Sequence, residues 1–228
     1  MALTKTTPLL LGAALLALAA SVPARAVKPF SADYTASYMG MQGTGKMTIA
    51  PAGANRWKYS LNIRSNVAQL SQTTTFEDNN GQWRPLSGTD SSLLLIKKSN
   101  KSATYDWSKG EARWSGDVKA ERAGPVKLQA GDMDALLVNL AIARDAAAGK
   151  PMNYRMVDDG RAKQLSWKVA GTEPLTIGGT TKQATKVSRS DGDKQTVVWV
   201  VEGIPVPARI LQRKDGRDQI DLKIASLK

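Results

Sequence analysis

Cysteine and histidine are both absent from the 228 residues. Without them the chain cannot build a Ser-His-Asp triad, a thiolate nucleophile or any of the usual zinc sites. It also has no disulfides and no cysteine at which a lipid anchor could be attached. Phenylalanine is scarce, with two residues against six tryptophans. Long apolar runs are scarce as well. Residues 9–20 carry no charge, but Ser21, Pro23 and Arg25 break the run short of the roughly 20 apolar residues a membrane span requires. With Lys5 before it and Ala24-Arg25-Ala26 after it, this stretch has the layout of a secretory signal peptide. The expectation is cleavage after Ala26, export to the periplasm without a lipid anchor, and a single domain made of residues 27–228.

Acidic residues are the minority charge, 20 against 32 basic, for a formal net charge of +12. Lys5 and Arg25 leave with the signal, and the remaining excess favours anionic partners such as phospholipid headgroups, lipopolysaccharide phosphates or acidic polymers. Nucleic acid is set aside, because the chain is read as exported and its basic residues are scattered with no long Lys/Arg run.

What the chain does have is alternation. Phe30, Ala32, Tyr34, Ala36 and Tyr38 alternate with Ser31, Asp33, Thr35 and Ser37, and Trp57, Tyr59, Leu61 and Ile63 alternate with Lys58, Ser60, Asn62 and Arg64. Such strands have one dry and one wet face. Turn residues punctuate them at Asn79-Asn80-Gly81, Lys109-Gly110, Asp158-Asp159-Gly160, Asp191-Gly192 and Asp215-Gly216. At least ten strands in a meander are predicted, with explicit hairpins about Lys109-Gly110 and Asp215-Gly216.

One segment breaks the rhythm. Residues 132–148 lack Gly and Pro and are rich in Ala and Leu, which predicts a helix with Asp132 as its N-cap, Asp134 in its first turn and Gly149 as its stop. Met133, Leu136, Leu137, Leu140 and Ala141 form a stripe that Val138 and Ile142 widen to most of the circumference, so the helix must be largely covered. The fold class is therefore mainly β: a strongly curved antiparallel sheet, a half-barrel or open barrel meander, wrapped around one main α-helix.

Phe30-Ser31-Ala32-Asp33-Tyr34, the glycines Gly43 and Gly45, the helix entry Gly131-Asp132-Met133-Asp134-Ala135-Leu136, and Trp199 followed by Pro205-Val206-Pro207-Ala208-Arg209 together carry a resemblance. From Phe30 to Ile224 the chain resembles the bacterial envelope family catalogued as domain of unknown function 3108. That resemblance implies a curved sheet wrapping a helix, similar to the half-barrels of periplasmic lipoprotein carriers, and implies no known catalytic residue.

The residues themselves point the same way. The nearest carboxylate pairs are Asp132 with Asp134, which read as helix caps, and Asp106 with Glu111, which read as cross-strand neighbours beside a hairpin. The Asp-Gly segments lack the ligand spacing of a calcium loop, and Gly178-Gly179-Thr180-Thr181 lacks that of a phosphate loop. No catalytic residue, metal or cofactor is expected. The tryptophans pack the core or line a groove; pairing about Lys109-Gly110 is expected to bring Trp107 and Trp114 together. In the binding reading, Trp107, Trp114, Leu136, Leu137 and Leu140 border an apolar pocket for a lipid or acyl chain. Lys97, Lys98 and Lys101, following Leu93-Leu94-Leu95-Ile96, would then meet an anionic headgroup or membrane surface at its mouth. The alternative is an envelope assembly factor that binds another protein through a sheet edge or groove.

Overall fold

The computed structural model describes residues 27–228; the segment read as a signal peptide lies outside them. In chain order the strands are β1 (Phe30–Tyr38), β2 (Met41–Pro51), β3 (Arg56–Arg64), β4 (Ala68–Asn79), β5 (Gln82–Leu94), β6 (Lys97–Asp106), β7 (Glu111–Gly116) and β8 (Val126–Lys127). After the helix α1 (Ala135–Ala147) come β9 (Met152–Asp158), β10 (Arg161–Ile177), β11 (Thr180–Asp191), β12 (Lys194–Val201), β13 (Arg209–Lys214) and β14 (Arg217–Leu227). They form one 14-stranded antiparallel sheet in which each strand pairs with its chain neighbour, β1 pairs with β14, and β8 and β9 are the two edges. The sheet curls until it nearly closes into a barrel around α1, as the alternation predicts. Ala32, Tyr34 and Ala36 of β1 and Tyr59 and Leu61 of β3 point inward and are buried; of their alternating neighbours Thr35, Lys58 and Asn62 are exposed, while Ser60 is covered by the adjacent strands.

In a meander, alternate hairpins lie at the same end of the sheet. Those joining β1 to β2, β3 to β4, β5 to β6 and β9 to β10 define an upper end; those joining β2 to β3 and β4 to β5 define a lower one. The lower end is sealed. The stretch between β12 and β13 tucks Ile204, Val206 and Ala208 into the core, and the Tyr34 hydroxyl donates to the Pro207 carbonyl at 2.7 Å. This accounts for the Pro205-to-Arg209 motif. The C-terminal end of α1 is tied down there too, with Arg144 donating to the Gly81 carbonyl at 2.9 Å and stacking 4.4 Å from the Trp83 ring centre. Gly149, at φ 63°, ends the helix.

The helix starts two residues later than the expected cap. Asp134, not Asp132, is the N-cap, accepting from the Leu137 amide at 2.9 Å. The cause is tertiary: Met133 pairs parallel to Met156, with the Met133 amide donating to the Arg155 carbonyl and the Val157 amide to the Met133 carbonyl. That pairing keeps the chain extended until 134. Asp132 instead accepts from the Gln129 amide at 2.7 Å and from Arg155 at 2.5 Å.

The seam between β8 and β9 is thus closed by short strips of backbone and side chain. Met133 covers the outer edge of β9, and the Tyr105 hydroxyl reaches the Val157 carbonyl at 3.0 Å. Arg122 donates to the carbonyl of Asp159 at 2.5 Å and to its carboxylate at 3.2 Å. Gly160 is required at this point, since a Cβ would collide with the Arg122 backbone.

Candidate functional site

The helix fills only the lower part of the barrel. Above its N-terminus lies a cavity of about 270 Å³. Asp134 and Leu136 form its floor; Gln72 and Thr74 of β4, Asp90 of β5, and Lys101 and Tyr105 of β6 form one wall; Trp114 and the end of β9, Asp158 with Asp159, form the other. Most of the residues that line it are of polar type because the inward faces change character along the strands. On β4 the inward residues run from Phe76 through Thr74 to Gln72, and on β6 from Tyr105 through Ala103 to Lys101.

The floor holds the least ordinary chemistry. Asp134 is buried, accepts from the Thr74 hydroxyl at 2.5 Å, and caps α1. Burial, then the charge of Asp158, pushes its pKa up to about 7, against the lowering effect of the Thr74 and backbone hydrogen bonds. Burial likewise raises the pKa of Asp158, whose carboxylate accepts from the Asp159 amide at 2.8 Å. Lys101 is not free: its ammonium lies 2.9 Å from the Asp159 carboxylate, latching β6 to the turn after β9. Gln72 donates to Asp90 at 3.2 Å. The indole N–H of Trp114, a residue 6% exposed, has no partner. Among the described residues no three carboxylates converge closely enough to hold a metal ion.

Of the eight residues expected around a binding pocket, the structure brings Trp114, Leu136 and Lys101 together on this cavity. Leu137 and Leu140 are core residues facing the sheet. Trp107 sits at the lower end, donating to the Pro85 carbonyl at 2.7 Å. Lys97 and Lys98 begin β6 at the upper tip, both exposed. Trp107 and Trp114 do not pair as expected. The register sets Tyr105 opposite Ala112 and Ala103 opposite Trp114, leaving Trp107 in the turn; Trp114 meets Tyr105 edge-on instead, at 6.0 Å. Asp106 and Glu111 are the cross-strand neighbours anticipated. Thr74, Asp134 and Asp158 were not singled out as binding residues. Asp159-Gly160 is indeed a turn, yet Asp158 is the last residue of β9 and, in step with the buried Met152 and Tyr154, faces the inside of the barrel.

The described residues form a nearly closed antiparallel barrel, sealed below, plugged by one helix and open to a small cavity above. The chain matches the model of a protein family of unknown function, DUF3108, over residues 33–223, and belongs to that family. In fold it is similar to the β-barrel-like protein of domain of unknown function DUF1849 from Brucella abortus. That similarity has a TM-score of 0.56 at 10% identity, over 88% of this chain and 97% of that one. Weaker similarities are to the Pseudomonas aeruginosa MucA/MucB complex (TM-score 0.34, 8% identity, 88% of this chain and 51% of that one) and to MucB (TM-score 0.33, 7% identity, 90% and 54%). The chain spans about half the length of those two. No curated protein matches the chain.

Proposed function

We propose that this is an exported, non-catalytic periplasmic protein that binds an amphiphile, taking its polar head group into the cavity above α1. The observation that carries this reading is the cavity itself. At about 270 Å³ it is near the lower limit of small-molecule sites, sized for a head group and not for a whole lipid. The apolar part has a path outward, because residues two apart on a strand share a face. Above Gln72 and Asp90 on the inner wall come Leu70, Ser92 and then Leu94.

The lining shifts the ligand class. Lys101 is neutralised by Asp159, and the remaining carboxyl groups on the cavity are Asp90 and the two whose pKa burial raises, Asp134 and Asp158. An ammonium would draw these into the charged form, whereas an anion would meet no free cation among the described residues that line the cavity, so a head group carrying an ammonium fits better than a purely anionic one. Trp114 and Tyr105 add aromatic surface suited to the same cation. The edge-pairing alternative has less to stand on: β8 is two residues long, and the outer edge of β9 is occupied by Met133.

The test is native mass spectrometry of the protein isolated from periplasm without detergent, followed by organic extraction. A reproducible bound amphiphile is expected. Gly88 borders the cavity, and a Cβ there would make only ordinary contacts with Ala103 and Thr73. Gly88→Leu should therefore fill the space and remove the ligand while the far-ultraviolet spectrum is unchanged. A clean apo mass from the native protein, or a ligand that survives Gly88→Leu, would count against the proposal.

A further inference from the structure

Among the described residues eight large apolar side chains are exposed, and six of them lie on two hairpins at the open end of the barrel. They are Tyr38, Met39 and Met41 between β1 and β2, and Leu94, Leu95 and Ile96 between β5 and β6. Ile96 is 97% exposed and Leu95 69%. The two tips belong to one continuous wall. A single row of paired residues runs Thr44, Arg64, Gln69, Leu93, Lys98 across β2 to β6; the β1–β2 tip projects four residues beyond it and the β5–β6 tip two. Three strand spacings separate them, roughly 14 Å.

The backbone of these tips supplies an independent observation. Five of the described non-glycine residues have positive φ: Asn80, Asp159, Asp215, Met39 (48°) and Leu95 (55°). The first three are types for which the left-handed region is cheap. Met39 precedes Gly40 (φ 86°) in a turn that favours Asn or Asp, and Leu95 occupies the first central position of a turn where glycine is favoured. At both tips a bulky apolar side chain sits where turn chemistry asks for something else. Neither is buried by the chain's own fold, so local packing does not account for them.

Charge identifies the partner. Residues 38–41, 64–68 and 94–98, which form the three adjacent upper tips, contain Arg64, Lys97 and Lys98 and no acidic residue. Elsewhere at the upper end, acids are interspersed with bases, as at Asp191, Asp193 and Lys194. Apolar side chains with unopposed cations on this side, and with Asp218 of the neighbouring β13–β14 hairpin already paired to Arg213, match the interface of a bilayer containing anionic phospholipid. A protein groove would leave those cations to find carboxylates one by one, whereas a bilayer presents phosphates and acyl chains over the whole span between the tips.

We infer that the hairpin tips between β1 and β2 and between β5 and β6 dock the open end of the barrel onto an anionic phospholipid surface, inserting Met39, Leu95 and Ile96. The cavity then faces the membrane. The inference adds to the amphiphile reading but does not depend on it.

The absence of cysteine makes the test clean. A single Ile96→Cys, labelled with an environment-sensitive fluorophore, should shift to the blue with vesicles of phosphatidylglycerol and phosphatidylcholine, and much less with phosphatidylcholine alone. A label at Val169→Cys, exposed but remote from the tips, should not respond. Lys97→Gln and Lys98→Gln should each weaken binding about five-fold at low salt. Leu95→Asp with Ile96→Asp should abolish it without lowering the melting temperature. The proposal is overturned by an unresponsive Ile96 label on anionic vesicles, by equal responses at both labels, or by sedimentation with vesicles that survives the double aspartate. A label that responds to an envelope protein extract and not to vesicles also overturns it. A chain that binds vesicles but yields no extractable ligand counts against the cavity reading alone, and one that yields ligand but ignores vesicles counts against docking alone.

Discussion

The Asp134 carboxyl group lies where the start of a helix coincides with the floor of a cavity, and the two settings pull its protonation in opposite directions. The N-cap position favours a carboxylate; burial beside Asp158 opposes it, and burial prevails, raising the pKa to about 7. Between the ordinary carboxylate range and that value, the folded protein holds a proton that the unfolded chain has released. Stability must therefore fall as pH rises through this window and level off above it. Asp158, also raised, acts in the same direction. Asp106, lowered to about 2 by Ser108 and Lys109, acts oppositely and only in more acidic solution. Tyr59 and Tyr105, which feel the charge of Asp134, are raised by burial and stay neutral across the range. Urea unfolding should thus show a more stable protein near about pH 5 than near about pH 8, with a difference of at most about 3 kcal/mol from Asp134. Asn caps as well as Asp, so Asp134→Asn should retain the helix and flatten the profile. An unchanged slope would place the titration elsewhere. None of this was legible in the sequence, where Asp134 and Asp158 look like a cap and a turn; their burial depends on strands distant in the chain.

At the scale of elements, α1 and the hairpins divide the apolar residues into two populations that composition does not separate. The sequence shows the helix, its breadth of apolar surface and its stop at Gly149, because those depend on local spacing. It does not show that Leu137 and Leu140 pack directly on the sheet while Leu136 borders open space, which depends on how far the helix rises inside the barrel. By composition the Leu93-to-Ile96 run reads more readily as a buried strand ending at a wet turn than as a rim; in the structure Leu94, Leu95 and Ile96 are exposed at the tip. The expectation follows from burial. Leu137, 0% exposed, should cost about 2 to 5 kcal/mol when replaced by Ala. Leu95→Ala should alter stability by no more than about 0.5 kcal/mol while reducing vesicle binding. Chemical denaturation of the two variants side by side checks the division. A large loss of stability at Leu95 would make the tip a structural element and remove the reason to assign it a partner.

For the molecule as a whole, the seam between β8 and β9 is the weak line of the barrel. Everywhere else adjacent strands share a ladder, including β1 with β14, which joins the first described strand to the last. The meander and its hairpins are written in period-two alternation and Asp-Gly or Asn-Gly turns. The closing contacts are not, because Met133, Tyr105, Arg122 and Arg155 reach partners through folding of the whole sheet. Arg155 is central: it pairs with the buried Asp132 at 2.5 Å and donates to the Lys127 carbonyl at 3.2 Å, joining β9 to both β8 and the helix entry. Asp132 already has one oxygen without a partner, so removing Arg155 would leave a buried carboxylate held only by the Gln129 amide. Losing one member of such a pair costs about 3 to 5 kcal/mol. Arg155→Ala should lower stability by that order, and amide hydrogen exchange should accelerate first in Met152–Asp158 and at Leu128, which donates to the Gly110 carbonyl. Because the cavity is walled by the same seam, a ligand bound there should slow exchange in these segments in the native protein and lose that effect in the variant. Exchange that rises uniformly over all strands would instead mean that the barrel opens as one cooperative unit, with the seam no weaker than its ladders.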